Sequence, residues 1–314
     1  MTEISLTTVN GSYGCTQALK DGSVAPKGFS LRFEEVERMP QAFRRMVRGL
    51  EFDVCEMAIT TYLTAKAHGK PFTAIPVFPV RAFHHGAILR STAVRAPEPQ
   101  GLLGRRVGVN RGYTVTSGVW ARGILADEYG LRLSGVTWVL SGDEHVEEFQ
   151  RPPNVVPVAP GKDVPEMVAS GELAAGVGVP PGEGLAPLIP DASEAGYRAL
   201  RERGLYPINH LVVVKDELLD AHPDLAASLF TAYAESKNRY TAALHSGDVP
   251  DPGAGDRMYK RVSDITGADP LPYGLSPNRA MVEQIIRHAL EQKILTDPVR
   301  PEDLFVPSTL TLNA

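Results

Sequence analysis

The sequence predicts an α/β protein built from two compact units, on three observations. Short apolar runs rich in β-branched residues alternate with helically spaced ones along most of the chain. The chain has 314 residues, against roughly 150 for a common domain. It is 43% apolar and 22% charged, which supports a sizeable core and excludes a disordered or collagen-like chain.

The alternation starts with a strand over 4–9, a strand over 29–33, a helix over 41–48, a strand over 52–57 and a helix over 60–68. Strands follow over 72–78 and 87–90. A Pro/Gly-rich stretch, Ala96-Pro97-Glu98-Pro99-Gln100-Gly101, then punctuates the chain as a crossing between units would. A second α/β cycle reads as a strand over 106–109, a helix over 114–129, a strand over 136–140, a helix over 164–170 and a strand over 174–179. After a further strand over 208–215 the chain turns helical, with periodic segments over 223–244, 256–265 and 277–292. In the first of these, Leu225, Leu229, Phe230, Tyr233 and Ala234 recur at core-facing spacing.

Acidic residues outnumber basic ones, 37 to 32, for a net charge of -5, so the basic excess of a nucleic-acid binder is missing. The first ten residues carry no basic stretch followed by an apolar run, and no segment has about 18 consecutive apolar residues. The expectation is a cytoplasmic protein with no membrane and no nucleic-acid partner. Cys15 and Cys55, the two cysteines, are too few for a zinc cluster or a disulfide framework and are expected to be reduced thiols.

The dinucleotide, P-loop and nucleophile-elbow signatures are absent from the sequence. The Gly-rich run Gly176-Val177-Gly178-Val179-Pro180-Pro181-Gly182 contains prolines that forbid an immediate helix at its end. His84 and His85 are adjacent, and on an extended strand they face opposite ways, which argues against joint metal chelation.

Three segments suit a small anion. In Arg81-Ala82-Phe83-His84-His85 a guanidinium can fork onto a carboxylate, an aromatic can flank a ring and an imidazole can exchange a proton. The run from Asn110 to Trp120 gathers hydroxyls, Thr116 and Ser117 among them, at a helix start, which attracts anions and equally suits plain capping by Thr114 or Thr116. Thr60, Thr61 and Tyr62 follow the strand that carries Glu56, at the strand end where α/β proteins place ligands. Glu56 reads either as a buried acid or as a salt-bridge partner.

Taken together, the blocks Glu51-Phe52-Asp53-Val54-Cys55-Glu56-Met57-Ala58, Ala74-Ile75-Pro76-Val77-Phe78-Pro79 with Arg81-Ala82-Phe83-His84-His85, Gly104 to Val109, Val119 to Gly123, Tyr206 to His210 and Pro272 to Leu275 with Asn278-Arg279 resemble the 4,5-dihydroxyphthalate decarboxylase family. The likeness spans nearly the whole chain and is weakest between about 141 and 175. The resemblance implies a two-lobed, type II periplasmic-binding-protein-like fold with the ligand cleft between lobes. It implies a first lobe of 1–94 and 208–314 and a second of 95–207. It implies decarboxylation of a hydroxylated aromatic or cyclic acid with no organic cofactor, and the residues single out no metal ligands, though they leave a divalent ion recruited from distant residues open. The partner expected is a small-molecule carboxylate, with room left for a homo-oligomer.

In the loop after the first strand, family members carry approximately Gly-Asp-Tyr-Asp-Arg-Thr, where this chain has Gly11-Ser12-Tyr13-Gly14-Cys15-Thr16. The change removes a carboxylate clamp and leaves a different substrate or reaction open. His84, with His85 or Glu56 as substitutes, is the expected proton donor. Arg81 and the Thr116-Ser117 helix start are expected to hold the anion, and Phe83 and Tyr13 to flank the ring. Ser12, Thr60, Thr61, Tyr62 and His210 are expected to touch the ligand, although His210 equally suits a purely structural bond between crossing strands. The alternatives are a non-catalytic solute-binding protein and a dehydratase, hydrolase or isomerase of the same fold.

Overall fold

The structure is a computed structural model that describes residues 4–94 and 98–314. Its strands are β1 (Ile4–Val9), β2 (Phe29–Phe33), β3 (Val54–Ala58), β4 (Phe72–Arg81), β5 (Ile88–Ser91), β6 (Arg106–Val109), β7 (Thr137–Leu140), β8 (Val155–Pro157), β9 (Gly176–Val177), β10 (Leu185–Pro187) and β11 (Ile208–Lys215). Its α-helices are α1 (Gln17–Lys20), α2 (Met39–Gly49), α3 (Ile59–Ala67), α4 (Thr116–Tyr129), α5 (Val164–Ala169), α6 (Ala192–Arg203), α7 (Asp216–Ala221), α8 (Leu225–Ser246), α9 (Ala254–Thr266) and α10 (Arg279–Glu291).

Contacts divide the chain into a first unit of residues 1–81, 208–283 and 299–314 and a second of 82–207 and 284–298. The first unit holds a five-stranded sheet in the order β2-β1-β3-β11-β4. Here β1 runs parallel to β2 and β3, while β11 lies antiparallel between β3 and β4. Strand β3 is buried along its whole length, as a central strand covered on both faces must be. Helix α2 buries Ala42, Phe43, Met46 and Val47, one stripe at helical spacing that gives it a single core-facing side.

The second unit holds a six-stranded sheet in the order β10-β5-β9-β6-β7-β8. Its apolar centre includes Leu89, Val139, Val164, Met167, Val168, Leu173 and Val179. Strand β5 pairs with β9 and β10, so the chain changes sheet after Arg81 and not at the Pro/Gly-rich stretch. Ala96 and Pro97 of that stretch lie outside the described residues. The segment 284–298 also groups with the second unit, where Arg287 and His288 face Asp127 of α4.

Among the described residues no helix is long and apolar enough to cross a membrane. Cys15 and Cys55 are both buried free thiols.

Candidate active site

In the first unit two chain segments, the loop after β1 and strand β11, converge on one carboxylate of β3. Glu56, in the middle of the buried strand β3, has no exposed surface, so an ionised side chain there must be met by donors. It is met by three. The Gly11 amide, just beyond the end of β1, donates to Oε2 at 2.8 Å. The Tyr13 hydroxyl donates to Oε1 at 2.9 Å. His210 Nδ1 lies 2.5 Å from the same Oε1, and because a carboxylate only accepts, the proton of that bond belongs to the imidazole.

Local backbone geometry sets each partner. His210 stands opposite Ala58 on β3 in a regular register. On the β4 side the register shifts on both sides of His210. Such irregularities re-aim side chains beside functional sites. The imidazole packs edge-on to Phe43 of α2, with centroids 5.1 Å apart, and its side chain keeps 19% exposure. The carboxylate is sealed while the imidazole it orients remains reachable.

Tyr13 comes from the loop after β1, where its backbone amide and carbonyl both bond the Thr16 hydroxyl. Burial, with the Glu56 charge and hydrogen bond behind it, pushes the Tyr13 phenol far above its ordinary range, so Tyr13 acts as a donor throughout the physiological range. Cys15, two residues on, is fully buried, and burial pushes its thiol up to about 12. Its Sγ faces the Pro79 carbonyl at 3.5 Å.

Of the other residues expected at the site, Arg81 is the last residue of β4 and is buried, with its guanidinium on the Asn278 side-chain carbonyl and its amide 3.4 Å from the Tyr259 hydroxyl. Thr60 and Thr61 are buried in the first turn of α3. Tyr62 serves the core: its hydroxyl binds the Leu304 carbonyl and accepts from the Ala74 amide, tying β4 to the chain's last segment. Ser12 is exposed and accepts from Lys20 Nζ at 2.8 Å.

The remaining candidates belong to the second unit. His84 and His85 are not on a strand: His84 precedes a short 3-10 turn that His85 begins, and both are buried. His85 Nε2 lies 2.9 Å from Glu128, which Arg203 also engages. Phe83 packs against Tyr197 and Tyr206, with centroids 4.9 and 5.6 Å away, and crowds Gly196, where a Cβ would stand 2.8 Å from its ring. Thr116 and Ser117 open α4, whose N-cap is Val115, without a side-chain cap. The amides just before it, of Tyr113 and Thr114, already bind the Glu144 carboxylate at 2.6 and 3.0 Å.

Among the described residues one group has the composition of a metal site: ligand atoms of Asp127, His288 and Glu291 lie within 4.8 Å of one another. Arg287 already bridges Asp127 and Glu291, so a guanidinium supplies the positive charge an ion would bring.

Site residues the sequence did not reveal are Asn10, whose Oδ1 accepts from Tyr233 at 2.6 Å, and Asn278 and Tyr259 beside Arg81. Tyr233 reads in sequence as one more residue of an apolar helix stripe, and only its hydroxyl sets it apart.

A 4,5-dihydroxyphthalate decarboxylase of Comamonas testosteroni is 27% identical to the chain over 333 aligned positions, covering 99% of this chain and 98% of that protein. One of Pseudomonas putida is 34% identical over 190 positions, 57% of this chain and 71% of that protein. The chain belongs to the 4,5-dihydroxyphthalate decarboxylase family. Membership makes it an enzyme of the carboxy-lyase class. No protein-family model matches the chain.

The fold is that of the SsuA-type binding proteins. The periplasmic aliphatic sulphonate-binding protein SsuA of Escherichia coli superposes with a TM-score of 0.55 at 11% identity, over 98% of this chain and 99% of that one. The desulfurization enzyme DszB superposes with the same TM-score, 0.55, at 14% identity, over 98% of this chain and 97% of that one. One fold therefore serves binding proteins and enzymes alike, and function has to be argued from the site.

Proposed function

We propose that the protein removes carbon dioxide from a hydroxylated aromatic or cyclic carboxylic acid without an organic cofactor, using the Glu56-His210 pair as its proton-transfer centre. The observation that carries this reading is the reachable imidazole whose Nδ1 is held by a fully buried carboxylate. A buried acid behind a histidine fixes the tautomer and stabilises the imidazolium.

The reaction follows from those groups. A hydroxyl ortho or para to the carboxylate pushes electron density onto the carbon that bears it. His210 delivers its Nε2 proton to that carbon. The bond to the carboxylate then breaks, its electron pair returns to the ring, and carbon dioxide leaves. His210 recovers a proton from solvent while Glu56 and Tyr13 keep their places. Arg81, buried at the end of β4, is the proposed partner of the substrate's anionic charge, because its fork matches a carboxylate.

The test is carbon dioxide release from 4,5-dihydroxyphthalate and related dihydroxylated acids. His210→Ala is expected to lower kcat by about 100-fold or more while leaving ligand affinity within about 10-fold. Full turnover in His210→Ala combined with its loss in His84→Ala would move the proton donor to His84. No release from any acid of a broad panel would remove the decarboxylase reading.

A further inference from the structure

Asn10 follows the last residue of β1 and precedes Gly11, the residue whose amide binds Glu56. Its side chain is 3% exposed. One end of the amide is accounted for, since Oδ1 accepts from the Tyr233 hydroxyl at 2.6 Å. The other is not: Nδ2 is buried with no hydrogen-bond partner among the described residues. A buried donor left unmet costs free energy and is uncommon in a native interior.

The arrangement fixes which end of the amide is left over. Burial, followed by the charge of Glu56, raises the Tyr233 phenol well above its ordinary range. Its hydroxyl keeps its proton and donates it to Oδ1, so the amide presents two N–H groups on its far edge. Asn10 stands at the end of β1, where α/β proteins bind ligands, and its neighbour Gly11 binds Glu56, so the pair lies next to the Glu56-His210 centre along the chain.

We infer that Asn10 Nδ2 is a substrate-binding donor for a ring oxygen, and that Tyr233 is the positioning residue that aims it. The inference rests on the proposed decarboxylation of a hydroxylated ring. In that reaction the hydroxyl oxygen becomes carbonyl-like as its electrons enter the ring, and it takes negative charge if its proton leaves. A neutral amide donor suits such an oxygen, and a second carboxylate next to Glu56 would not. The ligand class is accordingly a phenolic acid, recognised at its hydroxyl by Asn10.

The test reads binding and does not depend on turnover. Calorimetry compares 3,4-dihydroxybenzoate, the acid left when one carboxylate departs from 4,5-dihydroxyphthalate, with benzoate, which lacks the hydroxyls. Wild type is expected to bind the hydroxylated acid more tightly. Asn10→Asp replaces the donor edge by an acceptor at constant shape and is expected to weaken 3,4-dihydroxybenzoate by about 10-fold or more while benzoate affinity holds within about threefold.

Tyr233→Phe, which removes only the hydroxyl, is expected to show the same selectivity to a smaller extent, and it serves if Asn10→Asp fails to fold. Equal weakening of both acids, no weakening of either, or no preference in wild type overturns the inference. A hydroxyl-selective loss in a protein that releases no carbon dioxide would instead uphold Asn10 and overturn the decarboxylase reading.

Discussion

At the scale of single residues, chemistry depends on which groups are reachable and in which protonation state. Cys15 lies two residues from Tyr13 in the loop after β1, so a thiolate nucleophile is the natural rival to an imidazole there. The structure opposes it, because the thiol is fully buried and raised to about 12. A raised thiol stays protonated through neutral pH, and only the thiolate attacks. Cys15→Ala is therefore expected to keep kcat within about threefold of wild type. The folded protein should resist iodoacetamide at pH 8, as mass spectrometry would show, whereas rapid labelling of Cys15 would return the thiol to consideration. Glu56, Tyr13 and His210 were legible as candidates because their residue types carry chemistry. Their convergence was not, because they lie 43 and 154 positions from one another across Glu56 and meet only through sheet topology. Asn10 was illegible, since nothing local distinguishes an asparagine that ends a strand from one that binds a ligand.

At the scale of elements, the turn after β1 shows how a small residue places a large one. A Cβ on Gly11 would stand 2.2 Å from Cζ of Tyr13, so the hydroxyl end of the ring fills the space a side chain would take there, where it reaches Glu56. Gly11→Ala must displace that ring while leaving β1 and β3 paired. The expected result is a fall in kcat of about 10-fold, the worth of a hydrogen bond to a charged acceptor. The double variant Gly11→Ala with Tyr13→Phe should be no worse than Tyr13→Phe alone, since both remove one interaction. Additive losses in that cycle would show that Gly11 acts elsewhere. The longer elements were readable from their periodicity: β2 and β11 fall on 29–33 and 208–215 as expected, and α8 and α10 within two residues. The elements that escaped carry weak patterns. Strand β8 is three residues ending in proline, and α6 buries a narrow stripe beneath mostly charged residues. The shifted register around His210 had no sequence signal, because it depends on β4, far away in the chain.

At the scale of the whole molecule, the two-unit architecture was legible through family resemblance more than through periodicity. The contact division falls after Arg81 and the expected one after residue 94, because proline and glycine mark a loop and do not say which sheet the next strand joins. Strand β5 joins the second sheet, and the turn before it carries His85 into contact with Glu128 of α4, which also meets Arg203 at the end of α6. Three separate stretches of the second unit are thus tied by one carboxylate. Burial alone would raise the Glu128 carboxyl, but the hydrogen bonds and charges of His85 and Arg203 outweigh it and hold the group below its ordinary range. The folded state then binds the Glu128 proton less tightly than the unfolded chain does. Its contribution to stability is present above the unfolded carboxylate range, about 4.3, and fades as the pH falls through the lower folded value. Glu128→Gln keeps the shape without the charge and should cost about 1 kcal/mol at pH 7, chiefly through His85, since the Arg203 arm is half exposed and screened. Denaturant unfolding at pH 7 and below pH 4 checks this: the deficit of the variant should shrink in acid, and a deficit independent of pH would assign Glu128 a packing role in place of an electrostatic one.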